Sequence, residues 1–293
     1  MSFRALLRPA KRGLGRAVEA LWCGVFALQG RIAPSRASPW RSSGGQRVLV
    51  LAPHPDDEAI GCGGTVLRHV AAGDCVTLAI ATDGRRSGGM RDPEGMSAMR
   101  HREAEGAASA LQARLDWLGL AEGDWPIERL RDVLVERLTQ LRPDVVYASS
   151  RVDFHPEHHK VAHALALALD VVPHKPGLLR IYQVQVPLTR LLANVVSDLS
   201  AVSAPAEAAL RAYESQAGTI ACIFRRRRYS ARLHGLPTDA AEEFWELPVQ
   251  RYVDLHRDPP SQWLGHYRGL RAFALTDPLA WWVGRGARRR LRQ

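Results

Sequence analysis

Two short runs of the chain hold the residue types that hydrolytic chemistry needs. They are His54-Pro55-Asp56-Asp57-Glu58 and, about a hundred positions later, Asp153-Phe154-His155-Pro156-Glu157-His158. Two imidazoles and one carboxylate, with the remaining positions left to water, make an open catalytic metal site, and zinc is one ion that takes such a set. His54, Asp57 and His158 are the candidate ligands. Asp56, adjacent to a ligand but directed elsewhere, is then free to take a proton from water that the ion has acidified. His155 stands three residues before His158, across the bend of Pro156. It is a candidate for stabilising an oxyanion or protonating a leaving nitrogen. Asp153 is a candidate partner for fixing a histidine tautomer. Alone, the first run also reads as a capped helix start, because Asp in a first turn favours the helix dipole. A second polar run in the same kind of position favours the site.

That position is set by the elements around the two runs. Val48 to Ala52, Val76 to Ala81, Leu115 to Leu118 and Val145 to Ala148 are short apolar runs of the kind found in strands buried on both faces. Gly64 to Ala72, Ser97 to Leu111, Ile127 to Leu141 and His158 to Leu169 carry helical spacing between them. Alternation of this kind predicts βαβ units and an α/β, Rossmann-like three-layer fold with a mostly parallel sheet. Ligands bind beyond the carboxyl ends of such strands, and both polar runs follow a strand directly. Val195 to Leu199 reads as a further strand and Ala204 to Ser215 as a further helix. The last sixty residues show no assignable period. Gly61-Cys62-Gly63-Gly64 lacks the GxGxxG spacing of a dinucleotide site, which argues against NAD.

The sequence resembles a known family at several points. His54-Pro55-Asp56-Asp57-Glu58 with Gly61-Cys62-Gly63-Gly64, then Arg100-His101-Arg102-Glu103, then His155-Pro156-Glu157-His158, resemble the LmbE-like superfamily of N-acetylglucosaminyl-phosphatidylinositol (PIG-L type) de-N-acetylases. Ala212-Tyr213-Glu214-Ser215-Gln216 is similar to a downstream element of many members. The resemblance runs from about Arg47 to Trp245. It implies a Rossmann-like fold, one zinc per chain, and hydrolysis of the acetamido group of a sugar to amine and acetate. It makes His54, Asp57 and His158 the metal ligands, Asp56 the general base, His155 the electrostatic or acid partner, and Arg100 a residue facing the substrate. Two departures are visible. Glu157 stands where Asp is usual, and Ala206 stands where lysine is common.

Charge adds a second theme. The net charge is +10, of which residues 1 to 46 hold +7 and residues 284 to 293 hold +5, leaving the body at −2. Basicity confined to the ends argues against a nucleic-acid enzyme, whose basic stripe lines its own binding surface. A helix from Arg8 to Gly30 would carry an apolar stripe of Leu14, Val18, Leu21 and Val25 beside Arg8, Lys11, Arg12 and Arg16. It reads either as an interfacial helix on an anionic membrane or as a helix packed on the body. Pro34 to Gln46 reads as a linker. The expected organisation is a basic amphipathic extension and linker (1–46), a deacetylase body (47–283) and a basic tail (284–293). The four scattered cysteines give no disulfide framework. The expected setting is cytoplasmic, peripheral on the inner face of the membrane.

The leading expectation is thus a zinc-dependent N-deacetylase acting on a lipid-linked or nucleotide-linked acetamido sugar in glycan or glycolipid biosynthesis. The competing readings are a metal-dependent amidase on another N-acyl or thiol-conjugate substrate, an iron oxygenase, and a non-catalytic glycan-binding scaffold. Asp83, after the second strand, is expected either to line the pocket or to form the turn before Gly84. Glu122 and Asp124, after the third, are placed behind Arg100 as pocket residues. The arginine run Arg225 to Arg228, with Arg232, reads as a phosphate receiver or a solvated loop. His159, His163, His174, His234, His256 and His266 have no partner motif and are expected to be structural.

Overall fold

The apolar runs at Val48, Val76 and Val145 form strands with a neighbour on both sides, whereas the run at Leu115 forms an edge strand with one neighbour. The computed structural model describes residues 3–87, 92–262 and 278–292; His266 lies outside them. In chain order the elements are α1 (Phe3–Ile32), β1 (Ser38–Pro39), β2 (Arg47–Ala52), α2 (Asp57–Ala71), β3 (Cys75–Thr82), α3 (Pro93–Leu111), β4 (Arg114–Leu120), α4 (Ile127–Leu141), β5 (Val145–Ala148) and α5 (Pro156–Val171). There follow β6 (Leu178–Tyr182), α6 (Thr189–Leu192), β7 (Val195–Asp198), α7 (Ser203–Arg211), α8 (Ala217–Leu233), β8 (Ala241–Leu247), α9 (Val249–His256) and α10 (Arg285–Arg292).

The strands make one sheet in the order β1-β7-β8-β6-β5-β2-β3-β4. All pairings are parallel except those of β8, which runs antiparallel to β6 and β7. Alternate residues of β2 serve two cores. Leu49 and Leu51 pack toward α4, α5 and α9, whereas Val48 and Val50 pack toward α2, α3 and α7. The three-layer α/β expectation is met. From β2 the chain moves to β3 and β4 on one side, then returns to β5 on the other. The switch point between β2 and β5 is where a doubly wound sheet opens a crevice, and both histidine runs leave the sheet there.

Four details differ from the sequence reading. First, α2 starts at Asp57, not Gly64, because the polar run itself forms the first turn, and the helix breaks at Cys62 (φ −150°, ψ 17°). The Glu242 carboxylate of β8 accepts from the Gly64 and Thr65 N–H groups at 3.0 and 2.8 Å, capping the half of the helix beyond that break. A Cβ at Gly61 would lie 2.3 Å from the Tyr182 ring, and one at Gly64 2.6 Å from Leu199. The glycines of this run therefore serve close packing.

Second, the segment read as a linker is seated on the sheet. Ser38–Pro39 pairs with β7, and Trp40 is buried, its Nε1–H donating to Tyr147 Oη at 2.9 Å. Arg180 Nη1 donates to the same oxygen at 2.8 Å, so the one tyrosine proton goes to His69 Nε2, 2.9 Å away. His69 is therefore neutral, with Nδ1–H donating to Asp74 at 2.6 Å. Burial pulls its pKa down to about 4 against the pull of Asp74.

Third, the run Arg225–Arg228 lies inside α8. Arg226 donates to the carbonyls of Val184, Gln183 and Ile60, Arg227 to Glu242 and the Ala59 carbonyl, and Arg228 pairs with Glu19 of α1. Neither a solvated loop nor a phosphate receiver describes it. Fourth, α1 runs from Phe3 to Ile32, longer than the Arg8 to Gly30 expected, and as in one of its two readings it packs on α8, with Phe26 fully buried against Tyr229 and Trp281. No helix among the described residues is long and apolar enough to cross a membrane.

Candidate active site

β2 ends at Ala52, and the chain turns through His54 and Asp56 into α2. Asp56 holds a left-handed conformation (φ 115°, ψ −28°) at the N-terminus of that helix, which costs a residue with a Cβ on the order of 1 kcal/mol. The turn directs Asp57 inward. Its Oδ2 accepts the His54 N–H at 2.9 Å and lies 3.2 Å from His54 Nδ1 and 3.2 Å from His158 Nε2.

The other nitrogen of each imidazole is held by a second carboxylate. Glu157 Oε2 is 2.6 Å from His54 Nε2, and Asp153 Oδ2 is 3.0 Å from His158 Nδ1. Both rings thus present to Asp57 the one nitrogen left over, in the carboxylate–histidine arrangement that orients metal ligands. Separations of 3.2 Å are close to the edge of a tetrahedral zinc ligand set, about 3.3 Å for bonds of 2.0–2.1 Å. Two edges of the set His54 Nδ1, Asp57 Oδ2 and His158 Nε2 therefore match such an ion, and His54 also shares a second possible cluster with Glu122 and Glu157. His155 joins His54 and His158 in a three-imidazole cluster whose ligand atoms lie within 4.8 Å of one another.

Electrostatics follow from this crowding. Burial raises the Asp57 pKa, but His158 and His54 outweigh it and hold the carboxyl well below its ordinary range. Burial lowers His54, yet its bonds to Asp57 and Glu157 raise it to about 9; Asp57 and Asp153 likewise outweigh burial at His158 and hold it well above its usual value. The carboxylate side of the cluster is charged, so it holds positive charge on the imidazoles, and a divalent cation competes for the same place. Asp56 differs. Burial pushes its carboxyl up, with Asp57 and Glu58 adding to the rise and Arg100 opposing it. Burial and the flanking His158 and His54 push His155 down to about 3. His155 Nδ1 accepts the Glu157 N–H at 3.3 Å as the N-cap of α5, so its proton sits on Nε2.

One residue read from the sequence sits in another place than expected, and two take a place that the sequence offered them. Arg100, expected to face substrate, is buried behind the site because α3 turns that face onto the loop. It donates to the Pro55 carbonyl, pairs with Asp56 Oδ2 at 3.1 Å and reaches Glu103 and Ser215 at 3.3 Å. Asp83 forms the turn: its carboxylate accepts from Arg85 N–H, Arg85 Nε and Glu122 N–H at 3.2, 2.7 and 3.1 Å. Glu122, ranked behind Arg100, lies 3.9 Å from His54 Nε2.

The sequence marks Glu157 only as a departure from a pattern, yet it is an anchor of the site. It accepts from Gly123 N–H at 2.8 Å and Trp125 Nε1–H at 2.7 Å as well as from His54. Burial raises its pKa, but these donors bring it down to about 2. Tyr213 and Ser215 were visible only through the family resemblance. Tyr213 donates to Glu58, and Ser215 N–H and Oγ donate to Glu103 at 2.7 and 2.8 Å, which ties the Tyr-Glu-Ser-Gln element to the back of the first histidine run.

With this geometry in place, comparison with known proteins is direct. The family model described as PIG-L, GlcNAc-PI de-N-acetylase, matches residues 49–169. A Bacillus anthracis protein described as "Probable N-acetyl-alpha-D-glucosaminyl L-malate deacetylase 2" is 29% identical over 140 residues, covering 44% of this chain and 61% of that protein. The 1D-myo-inositol 2-acetamido-2-deoxy-alpha-D-glucopyranoside deacetylase of Salinispora arenicola (strain CNS-205) is 29% identical over 190 residues, covering 52% and 59%. The chain thus spans about three fifths of the length of these curated relatives. The N,N'-diacetylchitobiose deacetylase of Pyrococcus horikoshii shares the fold, with a TM-score of 0.61 at 20% identity over 71% of this chain and 85% of that one. The stretch that matches this family model, residues 49–169, is the one that supplies His54, Asp56, Asp57, Asp153, His155, Glu157 and His158, so the likeness to PIG-L de-N-acetylases lies on the candidate site.

Proposed function

We propose that the protein is a zinc-dependent hydrolase that removes the N-acetyl group from an acetamido sugar carried on a lipid or a nucleotide, in glycan or glycolipid assembly. The observation that carries this reading is the shared position of Asp57 Oδ2, 3.2 Å from one nitrogen of each of two imidazoles whose other nitrogens are held by carboxylates. One relative is named as a probable N-acetyl-alpha-D-glucosaminyl L-malate deacetylase and another as a deacetylase of an inositol-linked acetamido sugar, which supports the substrate class.

His54, Asp57 and His158 would hold the ion. When bound, zinc polarises an amide carbonyl and makes water acidic enough to attack it near neutral pH. Asp56, whose raised pKa suits a base working near neutrality, takes a proton from the attacking water and returns it to the sugar nitrogen. Arg100, buried against Asp56, keeps that carboxylate in place. His155, neutral with its proton on Nε2, donates a hydrogen bond to the oxygen that gains charge. The C–N bond breaks, acetate leaves, and the amine keeps the returned proton; no covalent enzyme intermediate is needed. The test is mass spectrometry for loss of one acetyl group across UDP-linked, polyprenyl-linked and free acetamido sugars, with zinc-loaded and chelator-treated protein. Zinc-dependent loss of acetyl from one class is expected. Intact substrates throughout, or equal turnover after chelation, would overturn the reading.

A further inference from the structure

We infer that the outward face of α1, with the arginine-rich end of the chain, docks on an anionic lipid surface. The partner deepens the proposed function, because it presents a lipid-carried sugar to the site. One side of α1 is fully used. Phe26 is buried against Tyr229 and Trp281, a Cβ at Gly30 would come within 2.7 Å of the Arg232 carbonyl, and Glu19 pairs with Arg228.

Among the described residues, the opposite side of α1 from Ala17 onward has no such cover. Val18, Leu21, Leu28 and Ile32 are 44%, 65%, 57% and 73% exposed, and their spacing puts them on one stripe of the helix. Among the described side chains of α1 the other exposed positions are Ala17, Ala20, Gly24 and Arg31. Between residues 17 and 30 the only charged side chain is Glu19, and it points to α8. A helix resting on a soluble body ordinarily carries its charge on this outer face. An apolar face of this length marks an interaction site.

Charge selects the occupant. The Trp22 ring lies 5.5 Å from Trp282, which with Val283 is partly exposed and leads directly into α10. Arg285, Arg289, Arg290 and Arg292 of α10 are exposed, and residues 284–293 contain no acid. Between α1 and this turn runs a groove of about 360 Å³ lined by Ile32, Leu233, Trp281 and Trp282 together with Arg190 and Arg285. Apolar and aromatic side chains beside clustered arginines match the acyl boundary and phosphate layer of an anionic bilayer. The same surface adjoins the site. Gln185 N–H donates to Asp153 at 3.3 Å, and Arg288 Nε donates to the Pro187 carbonyl at 2.8 Å, so one short loop links the histidine shell to α10.

The experiment is vesicle co-sedimentation of the full chain. The vesicles are phosphatidylcholine alone and phosphatidylcholine with about one third phosphatidylglycerol. Binding to the anionic vesicles is expected, weakening as salt rises toward about 1 M, where the screening length falls to about 3 Å. The triple variant L21E/L28E/I32E is expected to lose at least about tenfold in partitioning. Removing Arg289 and Arg290 should cost about fivefold each. Circular dichroism and acetate release from a free acetamido sugar show that the variants are folded, and they test the catalytic reading separately, since vesicle binding is read without substrate. Equal partitioning to both vesicle types, or anionic binding unchanged in the triple variant, would overturn the inference. So would a concentration-dependent dimer that the triple variant abolishes without any vesicle binding, which would assign the stripe to a second copy.

Discussion

Glu157→Gln isolates the second carboxylate layer, because it changes neither the candidate ligands nor the volume of the site. Glu157 accepts three buried donors: His54 Nε2–H, Gly123 N–H and Trp125 Nε1–H. A glutamine can keep its carbonyl oxygen on Gly123 and Trp125, where both bonds now converge on Oε1. Its amide then faces His54 Nε2, donor against donor. The imidazole is relieved only by moving its proton to Nδ1, which removes the lone pair that faces Asp57. Turning the amide over restores His54 but leaves two buried N–H groups against an NH₂. Keeping Gly123 and Trp125 costs one charge-assisted bond, about 1.5–3 kcal/mol, and turning the amide over costs more, because both bonds lost there also end on an ionised carboxylate. Zinc affinity should therefore fall about 10- to 100-fold, measured by competition against a fluorescent chelator. Turnover at saturating zinc should recover much of the parent value. Glu157→Asp, which keeps the charge, should lose less. Parent-like zinc affinity in Glu157→Gln would refute the claim that this carboxylate sets the tautomer of His54.

Two further outcomes follow from the same geometry. Asp56→Asn, chosen over alanine because asparagine tolerates the left-handed backbone at φ 115°, should retain zinc by elemental analysis while acetate release falls roughly 10²- to 10⁴-fold; His158→Ala should lose metal and turnover together. The second outcome concerns acid. His69 is neutral in the fold with a pKa of about 4, held there by burial against the pull of Asp74, whereas an unfolded histidine takes a proton near pH 6.5. The folded state binds fewer protons between these values, so its contribution is complete above about pH 6.5 and is lost as the pH falls toward about 4. The contribution is on the order of 3 kcal/mol. Urea midpoints measured at several pH values should fall across that window, and His69→Gln should flatten the fall; an equally steep profile in the variant would exclude His69 as its source.

The chain's own pattern made the sheet and the meeting of its two histidine runs legible, for physical reasons. Apolar runs such as Val48 to Ala52 can only be buried on both faces, and polar residues directly after them can only lie at the strand ends. Local spacing also places Asp57 and His158 opposite one another once β2 and β5 are neighbours. What stayed illegible is whatever depends on a distant carbonyl or carboxylate. Nothing near Arg226 in sequence shows that it ends at the Val184 carbonyl, and nothing near Gly64 shows that Glu242 caps its N–H. Glu157 read as a conservative replacement because its donors, Gly123 and Trp125, come from the loop after β4. Segment 34–46 read as a linker because its composition is that of a turn, while the burial of Trp40 rests on Tyr147.

These distant contacts explain why the recognisable motifs are spread over so much of the chain. A proposed base beside a proposed metal ligand has to be held where its backbone would not rest alone, and Asp56 occupies a left-handed conformation with a buried carboxylate. Arg100 answers both demands, binding the Pro55 carbonyl one residue earlier and the Asp56 carboxylate itself. A buried guanidinium in turn needs its remaining N–H groups satisfied and its charge balanced. Glu103, one helical turn on, balances the charge and with Ser215 takes Nη1, while Nε–H is left without a hydrogen-bond partner; Ser215 is fixed by the same Glu103. Tyr213, two residues before it, reaches Glu58 at the start of α2. The arginine motif and the Tyr-Glu-Ser-Gln element are thus parts of one support for the loop that carries Asp56.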